Sequence, residues 1–266
     1  RGEIWERAQR IASGLVALGL QKGDRVAIML DNGPEFIEAW FGVATAGLIE
    51  VPLNPGMGSE RLLHAMLNSD AAAVVVDGRY LDQFTELQDW LPSLRIAVTV
   101  GAAAETALET VELASLRTSA ISELPAVAHA DTVAILYTSG STGPAKAVIL
   151  PHGQHYTNGW QARRGAEIVP TDRIFVCLPL HHNQAQGYAV MAAVVAGCEV
   201  YVAKEFRRAS FWQEVAAAQA TVFVFVGSIL ALLGALEASP PNAIRVAYGA
   251  MVPRELHLEM EQRFGM

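Results

Sequence analysis

One short segment of this chain concentrates groups that hold anions. Thr138-Ser139-Gly140-Ser141-Thr142-Gly143-Pro144-Ala145-Lys146 packs four hydroxyls, two glycines and a lysine between two apolar runs, Val133 to Tyr137 and Ala147 to Leu150. Glycine lets the backbone curl so that successive N–H groups point inward. The hydroxyls of Thr138, Ser139, Ser141 and Thr142 add donors, and Lys146 adds a full positive charge, which together make a polyphosphate cradle. The segment is not the Walker A loop, because Ala145 precedes Lys146 and Ala147 follows it. The run after the lysine is strand-like, so the loop joins two strands and cannot lend a helix N-terminus to a phosphate. A plain polar hairpin turn is the alternative, and the density of hydroxyls beside Lys146 favours phosphate.

The histidines carry less. His181 and His182 end a strand predicted over Arg173 to Leu178, and successive strand side chains point to opposite faces. They cannot chelate one metal as a pair, at most one enters a site, and no metal site is assigned. Taken alone, a histidine at an apolar strand end is more often a satisfied structural residue. His152 and His155 flank the start of the helix after the loop and read as capping or surface groups, while His64, His129 and His257 give no signal. Cys177 and Cys198 show neither a CxxC spacing nor flanking histidines, which argues against zinc and disulfides and for a reduced, cytoplasmic setting. No GxSxG elbow is present and no GxGxxG follows the first strand, so a serine hydrolase and a nicotinamide-binding unit are both unsupported.

The elements that must position the loop are set by composition and period. Of 266 residues, 52% are apolar and only 17% charged, below the ~25% usual for soluble domains, so the core is ample and some apolar surface calls for a cover. Nineteen basic against 27 acidic residues give a net charge of −8, which offers no footprint for nucleic acid. No charged-then-apolar leader opens the chain, and its start at Arg1 is consistent with numbering from inside a longer protein. Val215 to Leu236 holds no charge, yet Gly227-Ser228 divides it into a β-branched strand and a short helix, so no membrane span is expected. Strands are predicted over 25–30, 48–52, 71–76, 96–100, 133–137, 147–150, 173–178, 199–202, 221–226 and 244–247. Helices fall over 3–18, 35–46, 59–67, 80–90, 154–166, 184–196, 210–218, 229–237 and 253–264, and 101–130 reads as a loosely ordered bridge. Such alternation predicts an α/β fold of two layered βα subdomains with mainly parallel sheets, with a (β/α)₈ barrel as the alternative.

Thr138 to Lys146 resembles the phosphate-loop signature of the adenylate-forming superfamily: acyl-CoA synthetases, luciferases and peptide-synthetase adenylation domains. The resemblance extends over nearly the whole chain, through Gly23-Asp-Arg-Val-Ala27, Asn32 to Phe36, Val51-Pro-Leu-Asn-Pro55, Leu178-Pro-Leu-His-His182 and Arg245 to Gly265. Ala147 stands where the family usually has Gly, and Tyr248-Gly249-Ala250-Met251 replaces the commoner Gly-Gly-Ala-Pro of the adenine turn. The run from Leu178 to Gly187, with Phe211-Trp212, looks closest to the acyl-CoA ligases that include the carnitine/crotonobetaine enzymes.

The resemblance implies the family's large N-terminal domain, with the nucleotide between two subdomains. The first helix, 1–23, would pack with the second subdomain, 171–266, while 24–167 forms the first. It also implies ATP-dependent activation of a small carboxylic acid as acyl-AMP, then thioester formation with coenzyme A, with Mg²⁺ on the phosphates and a setting in fatty acid metabolism. Thr138, Ser139, Gly140, Ser141, Thr142, Gly143 and Lys146 would hold phosphate, Gly249, Ala250 and Met251 the adenine, and His182 the substrate carboxylate, with His181 packing. The chain stops just before the family's Tyr-Gly-x-Thr-Glu motif, and the resemblance implies that this motif, the ribose-binding Asp, the hinge and the C-terminal lid domain are absent. The 266 residues alone are then expected to be an incompetent ligase that binds nucleotide weakly, exposes an apolar face where the missing domain docks, and associates with itself as a homo-oligomer. A non-catalytic nucleotide-binding fragment or pseudoenzyme is the alternative function.

Overall fold

The computed structural model describes residues 2–103, 105–138, 145–234, 242–252 and 254–264. Two compact units divide at Gly153 and Gln154. In the first, short strands alternate with helices, as crossovers between parallel strands require. β1 (Arg25–Met29), β2 (Ile49–Pro52), β3 (Ala73–Asp77) and β4 (Ile96–Val100) are linked through α2 (Pro34–Thr45), α3 (Ser59–Ser69) and α4 (Leu81–Thr85). With β5 (Glu109–Glu112), β6 (Thr132–Tyr137) and β7 (Ala147–Pro151) they form one sheet in the order β5-β4-β3-β1-β2-β6-β7. Every neighbouring pair is parallel except β6 with β7, which form the predicted hairpin. Ala27 and Met29 of β1 join Val74, Leu62, Met66 and Phe84 in one core cluster, while Val26 and Ile28, on the opposite face by alternation, are equally buried. Burial on both faces is why these strands read as unbroken apolar runs.

α1 (Gly2–Ala17) falls in the first unit, where it lies against α2. Gly42 supplies the reason: a Cβ there would come 2.6 Å from Ile11 Cγ2, so the two helices meet backbone against side chain. Fully buried Glu38 of α2 then accepts from Arg7 at 2.9 Å and from Arg117 at 2.6 Å, tying α1 and the segment after α5 (Leu113–Leu116) to α2. The expected loose bridge is corrected. β5 pairs in parallel with β4 from Ile96↔Glu109 to Thr99↔Glu112, and Leu108, Leu113 and Leu116 are buried.

The second unit holds β8 (Arg173–Val176), β9 (Glu199–Val202), β10 (Val222–Val226) and β11 (Val246–Ala250), all parallel in the order β11-β10-β8-β9. Two open sheets replace the barrel alternative. α6 (His152–Gly165) leads into this unit, and its packing there explains why the division falls at 153 rather than after 167: a Cβ on Gly159 would meet the Met191 backbone at 2.7 Å. α7 (Asn183–Ala185), a π-helical turn over Gln186–Val190 and α8 (Met191–Ala196) form one continuous rod. α9 (Phe211–Ala217), α10 (Gly227–Gly234) and α11 (Arg254–Phe264) complete the unit. Phe175, Phe211 and Phe223 pack with ring centroids 5.0 to 6.2 Å apart. At the amino ends of the strands, burial works against the charge of Asp172. Arg245 at 2.6 Å and the Thr221 hydroxyl at 2.7 Å outweigh it and bring the carboxyl down to about 2. The uncharged stretch from Val215 is strand plus helix, and among the described residues no helix is long and apolar enough to cross a membrane.

Gly42→Val should force α1 off α2 and destabilise the protein by about 1–3 kcal/mol in urea denaturation. Ile11→Ala in the same chain returns the space, so the double variant should lose less than the sum of the single ones.

Candidate active site

The hairpin that carries segment 138–146 is closed at its base. Thr138 N–H donates to Lys146 O at 3.0 Å, and Lys146 N–H donates to Thr138 Oγ1 at 3.1 Å, one step beyond the last strand pair, Tyr137↔Ala147. Since the Thr138 oxygen accepts here, its own proton is the donor it can offer a phosphate. Ser139, Gly140, Ser141, Thr142 and Gly143 lie outside the described residues. Two side chains of the hairpin base meet α3. The Tyr137 hydroxyl is shared between Ala65 O at 3.0 Å and Asn68 Oδ1 at 2.9 Å, and the His64 ring N–H donates to Ala145 O at 3.0 Å. His64, silent in the sequence, is thus joined to the segment.

His181 and His182 correct the strand expectation. β8 ends at Val176, Pro179 cannot donate to a ladder, and His182 N–H closes a turn onto Pro179 O at 3.0 Å. The two rings therefore do not point to opposite faces. They lie 4.4 Å apart, His182 exposed and His181 half-buried. Burial pushes His181 down to about 4, with His182 beside it adding to the shift, and partial desolvation lowers His182 as well. Both are neutral at pH 7, each with one N–H to donate and one nitrogen to accept.

The turn is braced by α6, which sequence reasoning read as an ordinary helix. Asn158, 1% exposed, accepts from Gln154 at 2.7 Å and donates to Asn183 Oδ1 at 3.3 Å, and a Cβ on Gly187 would strike both asparagines. His155, expected at a cap or on the surface, is 4% exposed in the same helix, and His152 is half-buried with its imidazole pKa lowered by burial. The polar residues in α6 are the one signal that could have marked this face, because they fall at helical spacing. The π-helical turn after α7 admits an extra residue, a device common at functional sites.

Gly249 and Ala250 end β11, in register with Phe225 and Val226, and Met251 follows with a left-handed φ of 59° and 82% exposure. A Cβ on Gly249 would lie 2.1 Å from Phe225 O, so this position takes glycine only. Tyr248 turns its hydroxyl to donate to Tyr188 O in the π-helical turn, and burial raises its phenol. Among the described residues no group of three His, Cys, Asp or Glu side chains could hold a metal ion.

Residues 2–266 match the family described as AMP-binding enzyme. The chain belongs to that family. It is 30% identical over 241 residues to the crotonobetaine/carnitine–CoA ligase of Salmonella agona, a match spanning 89% of this chain and 47% of that enzyme. Its fold superposes on the anthranilate CoA ligase AuaEII in complex with anthranoyl-AMP, with a TM-score of 0.90 and 18% identity over 99% of this chain and 52% of the other. ATP-bound MatB from Rhodopseudomonas palustris gives 0.86 and 23% identity, again over 99% of this chain and 52% of that one. The AMP-binding chain thus spans about half the length of the curated relatives it matches. The family and the α/β fold expected from the motifs are those found, and the structural neighbours are acyl-CoA ligases.

A ring kept neutral by burial makes a pH signature. The His181 imidazole should titrate in NMR with a midpoint near 4, against about 6.5 for a solvated ring. The unfolded chain then binds a proton that the folded one refuses, so stability should fall as pH drops from about 6.5 towards 4, and His181→Gln should flatten that slope in urea denaturation.

Proposed function

We propose that this AMP-binding protein serves ATP-dependent activation of a small carboxylic acid, with segment 138–146 holding the triphosphate and coenzyme A as the final acyl acceptor. The observation that carries the reading is the closed hairpin base, which presents the Thr138 hydroxyl and launches Lys146 from a fixed backbone. A carboxylate is a poor acceptor for a thiol. One of its oxygens attacks the α-phosphorus, the bond to the bridging oxygen breaks, and pyrophosphate leaves; the thiol sulfur then bonds the acyl carbon as AMP departs. Two anions must approach in the first step, so donors and a cation around the phosphates carry most of the stabilisation.

In this reading Lys146 steadies the leaving β and γ phosphates, Ser141 and Thr142 orient them, and Thr138, Ser139, Gly140 and Gly143 complete the cradle. His182, neutral and exposed, donates its N–H to the acid's carboxylate, with His181 packed beneath it. Gly249, Ala250 and Met251 take the adenine. Mg²⁺ would enter with the phosphates, held mainly by their oxygens beside Lys146. Bound there, it would neutralise phosphate charge. A reduced, cytoplasmic setting suits Cys177 and Cys198, which are buried and not joined in a disulfide. Relatives named as CoA ligases support the thiol acceptor.

Acid-dependent exchange of pyrophosphate into ATP, measured on a full-length protein that contains these 266 residues, tests the reading. Lys146→Ala and Thr142→Val should each weaken exchange by the loss of one phosphate contact, about 1.5–3 kcal/mol for the charged one, without a change in melting temperature. His182→Ala should slow exchange more than His181→Ala. Full exchange in both loop variants would remove the basis for the proposal, and ATP binding without any acyl-AMP would mark a non-catalytic nucleotide-binding protein.

A further inference from the structure

We infer that His64 is a positioning residue for Lys146, acting through the peptide bond that joins Ala145 to Lys146. The inference rests on the phosphate-loop reading of segment 138–146. That peptide is gripped from both sides. Its carbonyl accepts from the His64 ring at 3.0 Å, and its N–H donates to Thr138 Oγ1 at 3.1 Å. A peptide unit is planar, so holding both its oxygen and its hydrogen holds the plane that carries the Lys146 Cα, and with the Lys146 carbonyl also held by Thr138 N–H at 3.0 Å, the direction in which the side chain leaves is set. Without His64 the Ala145 carbonyl loses that hydrogen bond, and the hydrogen bonds left to hold this peptide among the described residues all lie on its Lys146 side, through Thr138.

The grip is built rather than incidental. α3 presents His64 and Asn68 one turn apart, on one helical face, towards the hairpin. Asn68 and Ala65 O receive the Tyr137 hydroxyl at the end of β6, while His64 reaches the start of β7, so a single helix holds both limbs of the hairpin base. The His64 and Tyr137 rings meet edge to face, with centroids 6.2 Å apart and planes at 72°, a contact that adds to the hydrogen bond in holding the imidazole against the hairpin base. Because a carbonyl only accepts, the His64 nitrogen facing it carries the proton, and His64 donates in its neutral and its charged form alike. Lys146 itself would touch the outer phosphates, so His64 should matter for ATP and hardly for AMP.

Calorimetric binding of ATP and of AMP to the protein, run in parallel for the unaltered chain, Lys146→Ala, His64→Phe and His64→Gln, separates the claims. Lys146→Ala should weaken ATP and spare AMP; ATP binding that is absent, or indifferent to Lys146, removes the phosphate-loop reading itself. With that control met, His64→Phe keeps a ring against Tyr137 but has no donor, and should raise the Kd for ATP about fivefold while AMP stays within about twofold. His64→Gln keeps an N–H donor and should recover most of the loss. If His64→Phe does not fold, His64→Ala gives the same comparison. Unchanged ATP affinity in the donorless variants, or equal loss for ATP and AMP, overturns the role of His64 and leaves the phosphate-loop reading intact.

Discussion

One antiparallel pairing in an otherwise parallel sheet sets up everything else in the first unit. Parallel strands can be joined only by long crossovers, so a tight loop between neighbouring strands requires a reversal, and among the described residues β6–β7 is the only neighbouring pair in either sheet that provides it. β6 runs parallel to β2, so the hairpin turn emerges at the carboxyl ends of the strands, the end at which open α/β sheets place their ligands. The loop has no helix behind it. The anion binding proposed for it would rest on backbone N–H groups, hydroxyls and Lys146, which are useful only if the base that carries them is held in place. The hydrogen bonds between Thr138 and Lys146 and the contacts of α3 with Tyr137 and Ala145 hold it.

The second unit solves a different problem, that of holding neutral, hydrogen-bonding groups near the surface of an apolar sheet. Asp172 and Arg245 keep charge at the amino ends of its strands, while the carboxyl ends lead into the His181–His182 turn and the Gly249–Met251 corner. Burial leaves the turn's imidazoles uncharged, and buried polar groups of α6 rather than apolar ones brace it. A cationic histidine would bind any anion. A neutral one selects by hydrogen-bond geometry, as the proposed contact of His182 with a carboxylate would require.

Much of this was legible in the sequence. Val26 to Met29, Val74 to Val76 and Val222 to Phe225 are buried on both faces and so could be read as strands from apolar runs alone. The hairpin was legible because a glycine- and hydroxyl-rich segment lay between two such runs. β5 was not, since Glu109, Thr110 and Glu112 form an exposed edge strand with no apolar run to mark it. The stripe along α1 showed that one face is buried but could not show against what; Gly42, thirty-one positions beyond Ile11, decides it. The turn at His181 and His182 was hidden because Leu178-Pro179-Leu180 continues the apolar run past the point where proline stops the ladder. His64 was invisible for a different reason. Its partner is a backbone carbonyl 81 residues away, and a carbonyl leaves no mark in a sequence.

The central claim is that the hairpin holding Thr138 and Lys146 is where this AMP-binding protein grips the triphosphate of ATP. A crystal structure of the chain with a non-hydrolysable ATP analogue tests it most directly. The account predicts the β and γ phosphates inside the 138–146 turn, with Lys146 Nζ about 2.7–2.9 Å from a phosphate oxygen and the Ala145–Lys146 peptide still bonded to His64 and Thr138. Phosphates bound elsewhere, with Lys146 extended into solvent, would contradict it.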